Sequence, residues 1–213
     1  MDDVLSVVTG SDDLFTPGEG TLSKMAEVDR LMHLCGGALE GLCSITIRED
    51  VRDRSVEALA AFESLDPSIL RAAYAMADEV DLWDPDSLQR VHEITHPDDS
   101  GFTEGAQERL KGLFDRCFMS DLPMTVIAAI AHDGILAARP FGAGTGTVAR
   151  IWYAQLLGRT DKEFQYVSTE AEFLRTRGEY EVFVSDPGDL AGFVDYCLDC
   201  DREVLSRLFG SLW

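Results

Sequence analysis

Residues 124–138 form a nearly continuous apolar stretch that is too long for a typical β-strand. A stretch of this kind is typical of a central, buried helix. The next segment, residues 139–147, reads Arg-Pro-Phe-Gly-Ala-Gly-Thr-Gly-Thr and contains three glycines. A second apolar helix is predicted over about residues 148–157. The sequence therefore predicts two core helices joined by a glycine loop.

Helical periodicity covers most of the remaining chain, and few segments alternate like strands, so we expect a mainly α fold. Asp66-Pro67 and Asp84-Pro85 each supply an N-cap and a first-turn proline. One further helix is predicted to start at Thr21, with Thr21 as its N-cap. The others are predicted over residues 51–65, 67–80, 85–96, 106–118, 169–184 and 190–209.

The chain carries 39 acidic and 18 basic residues, a net charge of -21. This charge repels phosphate backbones and anionic membranes, so neither a nucleic-acid nor a membrane partner is expected. No apolar run approaches the roughly 20 residues that span a bilayer, and Met1-Asp2-Asp3 lacks the basic start of a signal peptide. We expect a soluble, cytoplasmic protein. The five cysteines are irregularly spaced, which favours reduced, buried thiols over a disulfide framework.

The glycine loop lies in a locally cationic segment. Residues 134–160 contain no aspartate or glutamate but include Arg139, Arg150 and Arg159. Glycines let successive backbone N–H groups point into one concavity, and a helix N-terminus adds partial positive charge, so the segment predicts an anion site suited to phosphate. In the alternative interpretation the segment is acid-free because it is buried, and the loop only joins two packed helices.

Residues 139–150 resemble the signature of the Fic (Fido) family of nucleotidyl transferases, His-Pro-Phe-x-(Asp/Glu)-Gly-Asn-Gly-Arg-x-x-Arg. The positions that match in register are Pro140, Phe141, Gly144, Gly146 and Arg150. Leu88-x-x-Val91-His92 resembles the first helix of the family's domain, and His132 lies at the family's spacing before the motif. The resemblance implies a Fic-like helical bundle over residues 81–213, preceded by an N-terminal helical region over residues 1–80.

The family's chemistry depends on residues that this chain lacks. The motif histidine takes a proton from the target hydroxyl and the motif acid holds Mg²⁺ while AMP is transferred. Here Arg139 occupies the histidine position and stays protonated, Ala143 offers no metal ligand, and Thr147 replaces an arginine. Loss of a general base alone typically costs about 10²–10⁴ in rate. The resemblance therefore implies a Fic-fold pseudoenzyme without a catalytic residue or bound Mg²⁺.

The resemblance also implies which residues bind a ligand, which would be ATP, another nucleotide or another anion. These residues are Arg139, Phe141, Gly144, Thr145, Gly146, Thr147 and Arg150. Residues 36–41 resemble the family's inhibitory pattern, (Ser/Thr)-x-x-x-Glu-(Gly/Asn), which implies that Glu40 faces Arg150 in a buried ion pair. Residues 97–105 contain no recognisable version of the family's β-hairpin flap, so docking of a target is not expected there, and a role with a protein partner stays open.

Two enzymatic alternatives remain. In the first, the chain is an active AMP transferase in which another group, such as His132, serves as the base. In the second, His92-Glu93-Ile94-Thr95-His96 matches the HExxH pattern of zinc metalloproteases. Pro97 disfavours the second alternative because it ends the helix where the zinc ligands need support.

Overall fold

The computed structural model of the chain describes residues 14–39, 45–99, 101–185 and 188–211. Within these ranges it contains ten α-helices, one 3-10 helix and no β-strand, so the predicted mainly α fold is confirmed. The helices are α1 Glu19–Leu39, α2 Ile45–Glu63, α3 Pro67–Glu79, α4 Pro85–Thr95, α5 Ala106–Phe118, α6 Met124–Ala138, α7 Thr145–Thr160, the 3-10 helix Lys162–Tyr166, α8 Thr169–Arg175, α9 Arg177–Ser185 and α10 Leu190–Ser211. Among the described helices, none has the length and apolar character needed to cross a membrane.

Helices α6 and α7 form the centre of the core. α6 is buried along most of its length, as its apolar sequence predicts, and it packs against α5, α7 and α10. Trp152 and Tyr153 of α7 are fully buried. The indole Nε1 of Trp152 donates to the carbonyl of Leu82 at 3.0 Å, which joins α7 to the turn between α3 and α4.

Helix α1 packs along α10, so the N-terminal region contacts the end of the chain. Thr21 Oγ1 donates to Asp195 Oδ1 at 2.6 Å, and Lys24 Nζ lies 2.7 Å from Asp199 Oδ2. The prediction of Thr21 as an N-cap is wrong, because α1 begins at Glu19 and the Thr21 hydroxyl is used in this long-range contact.

The two Asp-Pro pairs mark the helix starts that they predict. Asp66 Oδ1 accepts from the Ser68 amide at 2.7 Å, and Asp84 Oδ1 accepts from the Asp86 amide at 3.1 Å, as the Asp-Pro pairs predict. The helix predicted over 169–184 is instead divided at Thr176. The hydroxyl of Thr176 donates to the carbonyl of Glu172 at 2.9 Å. Thr176 thus supplies a hydrogen bond to a carbonyl of the last turn of α8.

Candidate anion-binding site

The glycine loop lies between two left-handed backbone positions. Arg139 caps the C-terminus of α6 with a φ of 43°, and Gly144 caps the N-terminus of α7 with a φ of 72° and no side-chain hydrogen bond. The amide of Val148 makes the first helical bond, to the Gly144 carbonyl at 3.1 Å. Helix α7 therefore begins at Thr145, three residues before the predicted start, and the amides of residues 145–147 form its positively polarised first turn.

The end of α4 supports this loop. The ring of Phe141 stacks on His92 with 3.8 Å between ring centroids, and His92 Nε2 lies 2.9 Å from the Ala143 carbonyl. The ring of His96 lies directly against Gly144, where an added Cβ would overlap it. Phe141 is thus buried and holds the loop to α4.

The histidines of the HExxH pattern are engaged with the loop. Glu93 is exposed and accepts from Gln89 Nε2 at 2.8 Å, while His92 contacts the Ala143 carbonyl. Over the residues that the structure describes, no group of three or more His, Cys, Asp or Glu side chains is placed to hold a metal ion. This arrangement does not fit a zinc metalloprotease.

One amide of the loop already donates a hydrogen bond to a carboxylate. Asp99 Oδ2 accepts from the Ala143 amide at 2.8 Å and lies 3.3 Å from His92 Nε2. Position 143, where the family carries its metal-binding acid, holds alanine, and the Asp99 carboxylate is bound to an amide. The residues present therefore do not fit the Mg²⁺ site of the family.

Arg150 lies beneath the loop. Its side chain is 3% exposed, and a Cβ added to Gly146 would lie 3.3 Å from Arg150 Nη2. Its Nη1 donates to the Tyr180 hydroxyl at 2.9 Å, its Nη2 pairs with the carboxylate of Glu63, and its Cζ lies 4.1 Å from the Phe62 ring centroid. The motif arginine is therefore held in place by an ion pair, a hydrogen bond and an aromatic face.

The carboxylate on Arg150 comes from a residue that sequence analysis missed. Glu40, predicted to face Arg150, lies outside the described residues, and that expectation stays a prediction. Glu63 is the last residue of α2 and is followed by Ser64 with a φ of 59°. The inhibitory pattern fails on both sides of Glu63, with Leu59 in place of the hydroxyl residue and Ser64 in place of Gly or Asn, so it offered no signal there.

His132 takes part in the support of Arg150. It is fully buried, and its Nε2 lies 2.9 Å from the Tyr180 hydroxyl. Because Arg150 Nη1 donates to this hydroxyl, the phenol proton is directed towards His132. Burial lowers the pKa of His132 to about 3. This environment contradicts the alternative in which His132 is the base that meets a target.

The remaining predicted binding residues differ in their exposure. The side chain of Arg139 is exposed, and its carbonyl accepts from Thr103 Oγ1 at 3.0 Å. Thr145 Oγ1 donates to the Phe141 carbonyl at 3.3 Å. Thr147 is fully buried, and its hydroxyl has no hydrogen-bond partner among the described residues. Arg139 and the first-turn amides are thus the groups of the loop that can meet a ligand.

The cysteines of the described residues are free and buried, as predicted: they are Cys35, Cys117, Cys197 and Cys200. Burial raises the pKa of the Cys117 and Cys200 thiols to about 12 each, which suppresses the reactive thiolate. The fifth, Cys43, lies outside the described residues. Cys197-Leu198-Asp199-Cys200 forms a CxxC pattern, and these buried environments do not support a redox or zinc role for it.

The chain is similar in structure to Fic proteins. A Fic family protein from Desulfovibrio desulfuricans G20 superposes with a TM-score of 0.79 at 16% sequence identity, over 92% of this chain and 76% of that chain. Fic-1 from C. elegans gives 0.60 at 19% identity over 89% of this chain and 73% of its own, and its variant with a Glu-to-Gly substitution gives 0.63 at 18% over 88% and 72%. No protein-family model and no curated protein matches the sequence. The resemblance in the glycine loop thus extends to the whole arrangement of helices, and the chain has the Fic fold.

Proposed function

We propose that the chain is a Fic-fold pseudoenzyme that binds a nucleotide or another anion at the loop over residues 139–147. The proposal rests on a contrast between the anion-binding groups of this loop and its base and metal positions. The amides of its first helical turn retain the polarity that suits an anion, whereas its base and metal positions hold Arg139 and Ala143. Binding groups are thus kept where the groups for standard AMP transfer are replaced.

One observation favours a second candidate, an active transferase with His96 as its base. The His96 ring lies against Gly144 and is partly exposed, so it is an imidazole beside the glycine loop that solvent can reach. Burial, and then the neighbouring His92, lower the pKa of His96, which favours the neutral imidazole, the form that can accept a proton. Its Nδ1 is engaged with Thr95 Oγ1 at 3.0 Å, which leaves Nε2 for such a role.

Two measurements on the same protein test these candidates. Incubation with labelled ATP and Mg²⁺ detects transfer to the protein itself, and thermal shift with ATP detects binding. Thr145→Glu places a carboxylate in the first turn of α7, where it suits the helix but repels an anion. Ala191→Glu is the matched control, because Ala191 is an exposed residue in the first turn of α10.

For the pseudoenzyme we expect no labelling, and an ATP-dependent thermal shift that Thr145→Glu abolishes and Ala191→Glu retains. Labelling that Thr145→Glu and His96→Asn each remove would establish the transferase instead. A melting temperature that ATP leaves unchanged in the unsubstituted protein would contradict nucleotide binding.

A further inference from the structure

A surface groove of about 440 Å³ lies between the start of α4 and the exposed face of α5. Its volume is in the range of clefts that hold ligands. Trp83 and Pro85 line the groove from the start of α4, and Lys111 and Asp115 line it from α5. None of the lining residues belongs to the glycine loop, so this groove is separate from the candidate anion-binding site.

An exposed apolar patch continues from the groove. The ring of Phe118, at the end of α5, lies 6.1 Å from the ring of Trp83 between centroids, and Met119 follows Phe118 directly. Phe118 is 65% exposed and Met119 is 78% exposed, the two highest values among the large apolar side chains that the structure describes. Trp83 itself is partly exposed. Aromatic and methionine side chains that face solvent together are typical of a protein interaction surface.

The groove is also acidic. Four carboxylates line it, those of Asp84, Asp86, Glu108 and Asp115, against one basic residue, Lys111. Asp84 and Asp86 accept hydrogen bonds from a backbone amide and a side-chain amide, which are neutral groups. None of the four carboxylates forms an ion pair with another residue in the described part of the chain. Their summed charge therefore favours a positively charged partner.

We propose that this groove docks a basic, partly apolar segment of a partner protein. Lysine or arginine side chains of the segment pair with the carboxylates and lie over the ring of Trp83, the type of aromatic side chain that attracts a cation most strongly. An apolar side chain of the segment covers Phe118 and Met119. The inference does not depend on anion binding at the glycine loop.

Charge and exposure together select this occupant. A second copy of the chain carries the same net charge of -21, so two such grooves repel each other. A small organic cation pairs with the carboxylates but leaves Phe118 and Met119 in water. A basic segment with an apolar side chain meets both requirements.

The test measures the binding of short synthetic peptides, labelled and with acetylated and amidated ends, to the full chain by fluorescence anisotropy. The first peptide alternates lysine or arginine with leucine. The second has serine in place of leucine, and the third has glutamate in place of lysine and arginine. We expect the first to bind at least fivefold more tightly than the second, and the third not to bind. Arginine ethyl ester, a small organic cation, is added as a competitor.

Charge variants locate the peptide on the groove. Glu108→Gln combined with Asp115→Asn removes two exposed carboxylates of α5. Asp50→Asn combined with Glu57→Gln is the matched control, because it removes the same charge at the same spacing from exposed positions of α2. An exposed ion pair contributes about 1.5- to 5-fold in affinity. We therefore expect the groove variant to weaken binding of the first peptide at least threefold and the control less than twofold.

Apolar variants test the patch beside the groove. Phe118→Ser should weaken binding of the first peptide at least threefold, whereas Val182→Ser, at a position that is 63% exposed in α9, should leave it unchanged. The unlabelled first peptide should change the tryptophan fluorescence of the unsubstituted protein and of Trp213→Phe, but not that of Trp83→Phe.

Four outcomes would overturn the inference. If the first peptide does not bind at low ionic strength, the groove does not dock such a segment, and anion binding at the loop is unaffected. Equal losses in the two charge variants, or equal binding of the two basic peptides, would show that net charge alone attracts them. Displacement of the first peptide by an equal concentration of arginine ethyl ester would identify a site for a small cation. A dimer of the free protein that Phe118→Ser dissociates would make a second copy the occupant.

Discussion

At position 139 a guanidinium stands where the family's mechanism needs a histidine to accept a proton. Arginine retains its proton at any working pH, so this exposed side chain can attract an anion but cannot act as a base. The two histidines of α4 that pack against the loop also differ in their exposure to solvent. His92 is buried against the Ala143 carbonyl, whereas His96 is partly exposed beside Gly144. The chemistry of this site thus depends on which single side chains meet solvent.

Asp133, next to His132 in α6, makes the stability of the protein depend on pH. Burial, and then the charge of Asp189, raise the pKa of this carboxyl from 3.8 to about 6. The folded protein keeps a proton that the unfolded chain loses, so stability falls as the pH rises from about 4 to 6 and stays lower above that range. We expect Asp133→Asn to stabilise the protein by roughly 1–3 kcal/mol at pH 7.5, with little gain at pH 4.

Chemical denaturation at both pH values measures this difference. Asp115→Asn is the control, because it removes the same charge from an exposed position of a strongly acidic chain. A gain in Asp133→Asn that is equal at pH 4 and pH 7.5, or that Asp115→Asn reproduces, would show that burial of Asp133 is not its source.

Gly144 joins α7 to the end of α4. Its φ of 72° is costly for any residue with a Cβ, and a Cβ would also overlap the ring of His96. We expect Gly144→Ala to destabilise the protein by roughly 1–3 kcal/mol in urea denaturation. His96→Ala should recover the part of this loss that comes from the overlap.

Gly112 in α5 is the matched control for this substitution. It has no positive φ, and nothing lies within 4 Å of an added Cβ. Gly112→Ala should therefore stabilise the protein by about 0.5–1 kcal/mol, as expected for alanine in an exposed helix interior. If Gly144→Ala were as harmless as Gly112→Ala, the packing of the loop on α4 would not be as described.

The elements that the sequence predicts well are those with local signals. The bounds of α5 and α6 agree with prediction because their apolar periodicity is strong, and α3 and α4 begin at their Asp-Pro pairs. The break at Thr176 was not predictable, because α8 and α9 are both helical in pattern and the break depends on hydrogen bonds to Glu172 and Tyr196. The start of α7 was missed because Gly144 adopts a left-handed conformation that the sequence permits but does not require.

In the folded chain, two carboxylates from distant parts of the sequence offset the positive charge around the glycine loop. Residues 134–160 contain no acid, yet Asp99 reaches the Ala143 amide and Glu63 reaches Arg150. Each carboxylate comes from an element distant in sequence. Spacing along the chain carries no information on such pairings, which is why the sequence predicted the motif residues but not the acids that face them.

The packing of α1 on α10 predicts that the N-terminal region and the remainder unfold as one unit. The proposed division at residue 80 can be tested because all three tryptophans lie beyond it, so their fluorescence reports on residues 81–213 alone.

Leu31 in α1 is 4% exposed, whereas Leu34 in the same helix is 36% exposed. We expect Leu31→Ala to lower the stability read by tryptophan fluorescence by about 2–4 kcal/mol, because it leaves a cavity in the shared core. Leu34→Ala should cost less than about 0.5 kcal/mol, as for a surface position. A Leu31→Ala protein that loses helical signal in urea before an unchanged fluorescence transition would instead show two regions that unfold separately.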